Sequence, residues 1–362
     1  MSLGENVLSV FPPPALLTMQ SAGIDISESG VKCVFLKQSG HSTFLQSYTE
    51  TPLQKGVIVD GDIEMRGKIL DVLRSYRLRQ GVRYAHASIP EKKAYLYQTL
   101  IPGDSDDVRA GVEFGLEAHV PLPPGEIVFD FEIVRKVEAG TIVAVTAYAK
   151  RMVNAYAGIF KDAGIVLKSL EVESQALARS VLSEHDRIGT VMILDVGKST
   201  TRIAIADSGV VSFTASVDVG GDTLTGAITK HFGVSDEEAE KMKMERGFLM
   251  NKENAELVET LMTTTSVIKD EITKNLFYWN TPVSDSVPHR KVEKVIMCGG
   301  NANLRGFPEY LGAFLDVPLT VANVWANAFS LDEYVPPMGF SESLEYATAI
   351  GLAVRGVKKI QW

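Results

Sequence analysis

Residues 23–32 read GIDISESGVK and residues 193–202 read ILDVGKSTTR, so one pattern occurs twice in the chain. In each copy an apolar run leads to an aspartate, Asp25 or Asp195, and one more apolar residue precedes a turn rich in Gly, Ser and Thr. A second strand-like run then follows, at 31–37 in the first copy and at 202–207 in the second. We interpret each copy as a buried strand, a tight turn and a returning strand. The repeat therefore predicts two related halves.

The turn in each copy has the composition of a phosphate-binding loop. Backbone N–H groups and hydroxyls in a turn of Gly, Ser and Thr converge on one point, where they can bind an anion. The aspartate would repel a bare phosphate, but it is compatible with a divalent cation bound through water. A single hairpin of this kind is more often structural than functional. Two equivalent copies favour one shared phosphate site.

Length and composition predict a globular protein with two lobes. The chain has 362 residues, of which 45% are apolar and 22% charged. No apolar run reaches the roughly 18 residues that a membrane helix needs. Prolines at 12–14 interrupt the apolar N-terminal stretch, which argues against a signal peptide. We therefore expect a cytoplasmic protein.

Charge and metal-ligand residues exclude several classes of function. The net charge of −9 and the lack of a clustered basic run argue against nucleic acid and against direct binding to anionic lipid. Cys33 and Cys298 lie in apolar runs and are expected to be buried thiols rather than a disulfide. The six histidines are too scattered in sequence for a zinc site.

The internal repeat, with the family resemblance given below, implies five regions. Residues 1–20 form an N-terminal leader, which we expect to be disordered. Residues 21–84 and 165–187 form the core of the first lobe, and residues 85–164 form an inserted α+β subdomain. Residues 188–222 and 292–362 form the core of the second lobe, and residues 223–291 form a helical insertion within it.

The order of these motifs resembles the superfamily of actin, sugar kinases and heat-shock chaperones. The resemblance covers nearly everything from residue 23 to 359, and it implies an α/β, actin-like (ribonuclease H-like) two-lobed ATPase fold. Residues 25–32 resemble the first phosphate loop, 195–202 the second, and 298–301, CGGN, the adenosine loop. Residues 171–176 and 347–353 resemble the two connecting helices at the hinge.

Within that superfamily the chain is most similar to the PilM family of type IV pilus assembly proteins and to FtsA. The run DVGGDTLT at 218–225, followed by EAEKMK at 238–243, resembles the second lobe of PilM. VPL at 120–122, ahead of a strand that contains Asp-Phe-Glu, resembles the insert that PilM shares with FtsA. FtsA usually ends in an amphipathic membrane-targeting helix, which residues 354–362 do not resemble.

The resemblance implies ATP as the ligand, with Mg²⁺ held through water by Asp25 and Asp195. The implied nucleotide-binding residues are Asp25, Ser27, Ser29, Lys32, Asp195, Gly197, Lys198, Ser199, Thr200, Gly220, Gly221, Asp222, Glu240, Lys243, Gly299, Gly300 and Asn301. Glu240 and Lys243 would flank the adenosine. Taken without the fold, their spacing favours an ordinary surface ion pair.

Hydrolysis is less firmly implied than binding. The catalytic candidates are Asp25, Asp195 and Glu173, with Gln175 as the alternative to Glu173 for positioning a water. The family commonly has glycine where this chain has Ser27, and Glu28 places an acidic group on the first loop. We therefore expect slow hydrolysis or none.

The resemblance implies an assembly component of the type IV pilus machine. Such a component would bind the cytoplasmic tail of a PilN-like bitopic inner-membrane protein, chiefly through residues 85–164. Other pilus-assembly proteins would also be partners, and the membrane would be reached only through a partner. ATP would control partner binding. The alternatives are an FtsA-like cell-division or filament-forming protein, and a small-molecule kinase of the same superfamily.

Overall fold

The structure, a computed structural model, describes residues 19–39, 42–103, 107–281 and 287–357. The predicted leader at 1–20 therefore lies outside the described residues, apart from its last two positions. The first lobe is built on a five-stranded sheet. Its strands are β1 (Ser21–Ile26), β2 (Gly30–Ser39), β3 (Ser42–Pro52), β6 (Tyr84–Ile89) and β10 (Val166–Val172), and a small hairpin of β4 (Ile58–Val59) and β5 (Asp62–Ile63) lies beside it. The helices α1 (Arg66–Arg79) and α3 (Lys150–Ala163) pack into its core.

The second lobe is built on a second five-stranded sheet. Its strands are β11 (Thr190–Val196), β12 (Thr201–Asp207), β13 (Val210–Val217), β14 (Lys294–Cys298) and β15 (Leu319–Val321). The helices that follow are α5 (Gly221–Phe232), α6 (Asp236–Arg246), α7 (Ala255–Asn280), α8 (Phe307–Gly312) and α9 (Phe340–Glu345). Ile193 and Leu194 of β11 are fully buried beneath these helices, as continuous apolar runs of central strands require.

The two sheets have the same topology. The order is β3-β2-β1-β6-β10 in the first and β13-β12-β11-β14-β15 in the second. In each, the first three strands are antiparallel and the last two run parallel to the central strand. The internal repeat thus extends from the two hairpins to the whole sheet, and the predicted two-lobed α/β architecture is confirmed.

The inserted subdomain is smaller than the predicted 85–164. It consists of β7 (Tyr95–Pro102), α2 (Val108–His119), β8 (Ile127–Val137) and β9 (Gly140–Ala149), with the sheet order β7-β9-β8. The strand β6 lies inside the first sheet and α3 in the first core, because their apolar faces complete that lobe. The insert contacts the second lobe, where Arg135 Nε lies 3.1 Å from Asp207 Oδ2.

Two buried helices lie between the lobes: α4 (Glu173–Val181) and α10 (Ala347–Val357). The first begins two residues later than predicted, because Glu171 and Val172 still belong to β10. A Cβ on Gly351 of α10 would lie 1.7 Å from the main-chain oxygen of Ala176, so only glycine permits this crossing. No helix among the described residues is long and apolar enough to cross a membrane.

Candidate functional site

A cleft of about 720 Å³ opens between the two lobes, and both hairpins line it. The hairpins face it from opposite lobes, as the repeat predicts. The predicted residues that line the cleft are Asp25, Ser27, Ser29, Lys32, Glu173, Asp195, Gly197, Lys198, Ser199, Thr200, Gly221, Asp222, Glu240, Lys243, Gly299, Gly300 and Asn301. Two predicted residues, Gly220 and Gln175, do not line it.

The two hairpins have identical register. Asp25 lies opposite Lys32 across β1 and β2, and Asp195 lies opposite Arg202 across β11 and β12. Equivalent hydrogen bonds close the turns: Ser27 N donates to Gly30 O over 2.9 Å, and Gly197 N donates to Thr200 O over 3.0 Å. The sequence repeat is therefore a repeat of backbone geometry.

The second hairpin is braced from behind by the start of α5. The N–H groups of Gly221 and Asp222 donate to the main-chain oxygens of Gly197 and Lys198 over 3.1 and 2.8 Å. These bonds satisfy helix N–H groups that have no partner within the helix. A Cβ on Gly220 would lie 2.7 Å from Lys198 O, so Gly220 permits this packing instead of contacting a ligand.

The first hairpin has a different side-chain arrangement. The Ser27 hydroxyl lies 3.1 Å from Ser29 Oγ and donates to Gly30 O over 3.1 Å. Its side chain thus folds back onto the turn, although it still lines the cleft. Lys32 does not reach Asp25; its Nζ donates to the main-chain oxygen of Glu345 over 2.8 Å.

A cluster of buried ionic groups forms the floor of the cleft. Asp25 Oδ1 accepts a hydrogen bond from Ser88 Oγ over 2.7 Å. Arg202 lies between Asp195 and Glu173: its Nη2 is 2.6 Å from Asp195 Oδ2, and its Nη1 is 2.5 Å from Glu173 Oε1. Glu91, which follows β6, accepts from Ser174 N at the start of α4 over 3.2 Å.

Burial shifts the protonation of these groups. Burial raises the pKa of Glu173 to about 7, and the neighbouring Asp25 and Glu91 add to that increase while Arg202 opposes it. Burial likewise raises the pKa of Glu91, whose Oε1 has no hydrogen-bond partner. The nearby carboxylates outweigh burial at Arg202 and raise its pKa well above the usual value. Arg202 therefore stays positively charged in the floor of the cleft.

The cluster does not fit a metal ion coordinated directly by protein. Among the described residues, no three carboxylate, histidine or cysteine side chains are grouped to hold one. Asp195, predicted to face Mg²⁺ through water, already pairs with Arg202. The Oδ1 atom of Asp25 accepts a hydrogen bond from the neutral Ser88 hydroxyl and is not paired with a cation. Of the two aspartates, Asp25 fits a hydrated cation better.

The opposite end of the cleft contains a second polar group. Lys243 is buried, with 3% of its side chain exposed, and its Nζ donates to Glu240 Oε2 over 2.7 Å and to Thr225 Oγ1 over 2.9 Å. The Thr225 hydroxyl donates to Glu240 Oε2 over 2.6 Å. These bonds outweigh burial and hold the pKa of Glu240 below its usual value. The pair is therefore not an ordinary surface ion pair.

Gly299 packs closely against the second hairpin, a contact that the sequence did not indicate. Its φ is +89°, and a Cβ there would lie 2.4 Å from Asp195 Oδ1 and 2.5 Å from Val196 O. Glycine at this position lets the end of β14 approach the second hairpin closely. Asn301, two residues on, donates from Nδ2 to Gly197 O over 2.8 Å.

Sequence reasoning missed two residues of the floor, Arg202 and Glu91. The repeat itself could have indicated Arg202, because it aligns with the predicted Lys32. No comparable signal marks Glu91, a glutamate after an ordinary strand. Gln175 was wrong as a water-positioning candidate: its side chain donates to Glu132 of the insert. Neither it nor Glu173 lies on a solvated helix face, since all of α4 is buried.

Sequence comparison identifies related proteins across nearly the whole chain. The sequence profile of the family described as type IV pilus assembly protein PilM matches residues 23–357. Cell division protein FtsA of Escherichia coli strain K12 is 22% identical over 388 residues, covering 96% of this chain and 83% of that protein. The resemblance predicted from the motifs is confirmed.

Solved structures share the fold. The structure described as a PilM-PilN type IV pilus biogenesis complex superposes with a TM-score of 0.74 at 22% identity, covering 94% of this chain and 99% of that one. MreB5 of Spiroplasma citri bound to AMPPNP superposes with a TM-score of 0.53 at 14% identity, covering 91% and 94%. The predicted actin-like fold is confirmed.

Proposed function

Because the chain belongs to the PilM family of type IV pilus assembly proteins, we propose that it is a cytoplasmic, ATP-binding component of the pilus machine. It lies at the inner face of the cytoplasmic membrane by binding the cytoplasmic tail of a PilN-like bitopic protein. Other pilus-assembly proteins meet it through that complex. The solved PilM-PilN complex, which shares the fold of this chain, supports the choice of partner.

The observation that supports ATP is the pair of equivalent hairpins on opposite walls of one cleft. The triphosphate lies between them, with Ser27 and Ser29 on one side and residues 197–200 on the other. Lys198 supplies positive charge. The base and ribose lie toward the adenosine loop at 299–301, beside Glu240 and Lys243.

If Mg²⁺ accompanies ATP, Asp25 would help to hold it by accepting hydrogen bonds from its water. Mg²⁺ commonly keeps several waters and binds through few carboxylates, so such a position needs no cage of protein ligands. When bound, the cation would neutralise phosphate charge. Asp25 would then hold that hydrated cation on the side of the first hairpin.

The arrangement favours binding over turnover. An attacking water needs a positioned acceptor, and the candidates for catalysis remain Asp25, Glu173 and Asp195. Arg202 pairs with both Glu173 and Asp195. The guanidinium occupies one oxygen of each carboxylate, so that oxygen cannot accept a proton from an attacking water unless the pair opens. We therefore propose hydrolysis that is slow or absent, with ATP acting as a gate on partner binding.

Binding of ATP and of a PilN tail peptide tests the proposal. We expect ATP to bind the full chain, Lys198→Met to weaken it by about tenfold, and Lys241→Met to leave it unchanged. Lys241 is a suitable control because it is exposed on α6 and does not line the cleft. Equal peptide affinity with and without ATP contradicts the gating, and equal ATP affinity in both variants contradicts the site.

The similarity to FtsA supports a second candidate, a cell-division or filament-forming protein. Sedimentation with ATP and Mg²⁺ separates the two functions. A pelletable polymer favours the FtsA-like candidate. A species that stays in the supernatant and binds the PilN peptide favours the pilus component.

A further inference from the structure

Arg202 lies in the cleft floor where two lobes meet. It stands on β12 of the second lobe, beside Asp195 of β11, and reaches Glu173, which follows the first-lobe strand β10. Its guanidinium lies 2.6 Å from Asp195 and 2.5 Å from Glu173. The side chains of Asp195 and Glu173 are 9% and 7% exposed. A planar guanidinium can bind two carboxylates at once, which an ammonium group does poorly.

The surroundings of Arg202 explain why a cation is needed there. The buried Asp25 and Glu91 join Asp195 and Glu173 in stabilising its charge. Removing one partner of a buried ionic group leaves an uncompensated charge, which is strongly unfavourable. Without Arg202 these four carboxylates would require protons or another cation.

The equivalent residue of the first hairpin has a different contact. Lys32 has the same register relative to Asp25 as Arg202 has to Asp195, yet its ammonium group bonds Glu345 O. The Asp25 carboxylate bonds the neutral Ser88 hydroxyl. In the second hairpin, therefore, the aspartate is paired with the hairpin's own arginine. In the first hairpin the lysine does not pair with the aspartate.

We propose that Arg202 takes the place of a divalent cation at Asp195. Its guanidinium links the second hairpin to helix α4. The negative charge of Asp195 and Glu173 is thereby neutralised without Mg²⁺ between them. The inference depends on the side chains of the floor and does not require that ATP binds. It deepens the proposed site by assigning any hydrated cation to the side of Asp25.

Thermal unfolding of the nucleotide-free chain tests the inference. We compare MgCl₂ with NaCl at equal ionic strength, so that screening is matched. The wild type should show no specific Mg²⁺ shift. Arg202→Met should be less stable and should regain about 3.5 °C in Tm at about 100 times its Kd for Mg²⁺, because the vacated carboxylates then bind the cation. Arg202→Lys should respond less than Arg202→Met.

Arg135→Met is the matched control. Arg135 also pairs with a buried carboxylate, Asp207, at 3.1 Å, but it lies on the insert outside the cleft. This variant should lose stability without acquiring a Mg²⁺ response. Asp207 keeps Arg290 at 3.7 Å in this control. A generic effect of removing an arginine from a buried aspartate would produce the response in both variants and would overturn the inference.

Electron paramagnetic resonance with Mn²⁺ gives a direct measurement on the wild type. Binding of Mn²⁺ to the nucleotide-free wild type below about 1 mM, abolished by Glu173→Gln, overturns the inference. A folded Arg202→Met that shows no response to Mg²⁺ also overturns it. If Arg202→Met does not fold, the Mn²⁺ titration of the wild type decides. Failure to bind ATP would contradict the proposed function and leave this inference standing.

Discussion

Lys32 of the first lobe donates from Nζ to the main-chain oxygen of Glu345 over 2.8 Å. Glu345 is the last residue of α9, which packs beside the predicted adenosine loop of the second lobe. The Lys32 ammonium also lies 5.4 Å from the centre of the Tyr346 ring. This contact joins the first phosphate hairpin to the far wall of the cleft.

We predict that Lys32→Met lowers ATP affinity by about tenfold. The change removes a positive charge from the phosphate end and a bond that holds the walls together. Stability should fall by less than about 1 kcal/mol, because the hydrogen bond is solvent-exposed. Isothermal titration calorimetry and urea unfolding measure the two effects. The control is Lys37→Met, an exposed lysine on the same strand; equal ATP affinity in both variants contradicts the role of Lys32.

Glu91 should make stability depend on pH. Its pKa is raised by burial above the usual 4.5. A carboxyl group with a raised folded-state pKa binds its proton more tightly in the folded chain, so folding is favoured at low pH and stability falls as the pH rises above about 4.5. Glu91→Gln keeps an acceptor for Ser174 N–H but removes the titration.

Urea unfolding at about pH 5 and about pH 8 measures this effect. The wild type should lose more stability across that interval than Glu91→Gln does. Glu126→Gln, at an exposed position of the insert, serves as the control and should behave as the wild type does. A pH profile of Glu91→Gln that matches the wild type would show that Glu91 does not titrate as its burial implies.

The repeated hairpins could be predicted from sequence because their geometry is local. The spacing from Asp25 to Lys32 equals that from Asp195 to Arg202, and a β-hairpin converts equal spacing into equal register. The adenosine loop was predicted from the resemblance to the family, and its role in binding nucleotide stays a prediction. These features depend on residues adjacent in sequence.

The floor of the cleft could not be predicted in the same way. Glu91, Glu173 and Arg202 come from distant parts of the chain, and only the packing of α4 between the lobes brings them together. The boundary of the insert was missed for a similar reason. The sequence of β6 shows that it is a strand, but its place between β10 and β1 is a tertiary property.

Lys243 should matter more to stability than its spacing from Glu240 suggests. Its buried ammonium donates to Glu240, to Thr225 and to Gly221 O. We predict that Lys243→Met lowers the free energy of unfolding by about 2 kcal/mol, because it leaves buried acceptors without a donor. Lys241→Met, on the exposed face of the same helix, should change it by less than about 0.5 kcal/mol. Equal losses of unfolding free energy in the two variants, measured by urea unfolding, would indicate that Glu240 and Lys243 form only an ordinary surface ion pair.

The crossing of α4 and α10 depends on Gly351. Because a Cβ there would lie 1.7 Å from Ala176 O, Gly351→Ala must push the two helices apart. We predict that the free energy of unfolding falls by at least about 3 kcal/mol, at the upper end of what overpacking costs.

Gly67→Ala is the matched control: Gly67 lies in α1, and no atom within 4 Å would meet its Cβ. This change should stabilise the chain by about 0.5 kcal/mol, because alanine restricts the unfolded chain and suits a helix. Urea unfolding followed by circular dichroism measures both variants, and a Gly351→Ala variant as stable as the wild type would contradict the close contact between the lobes' connecting helices.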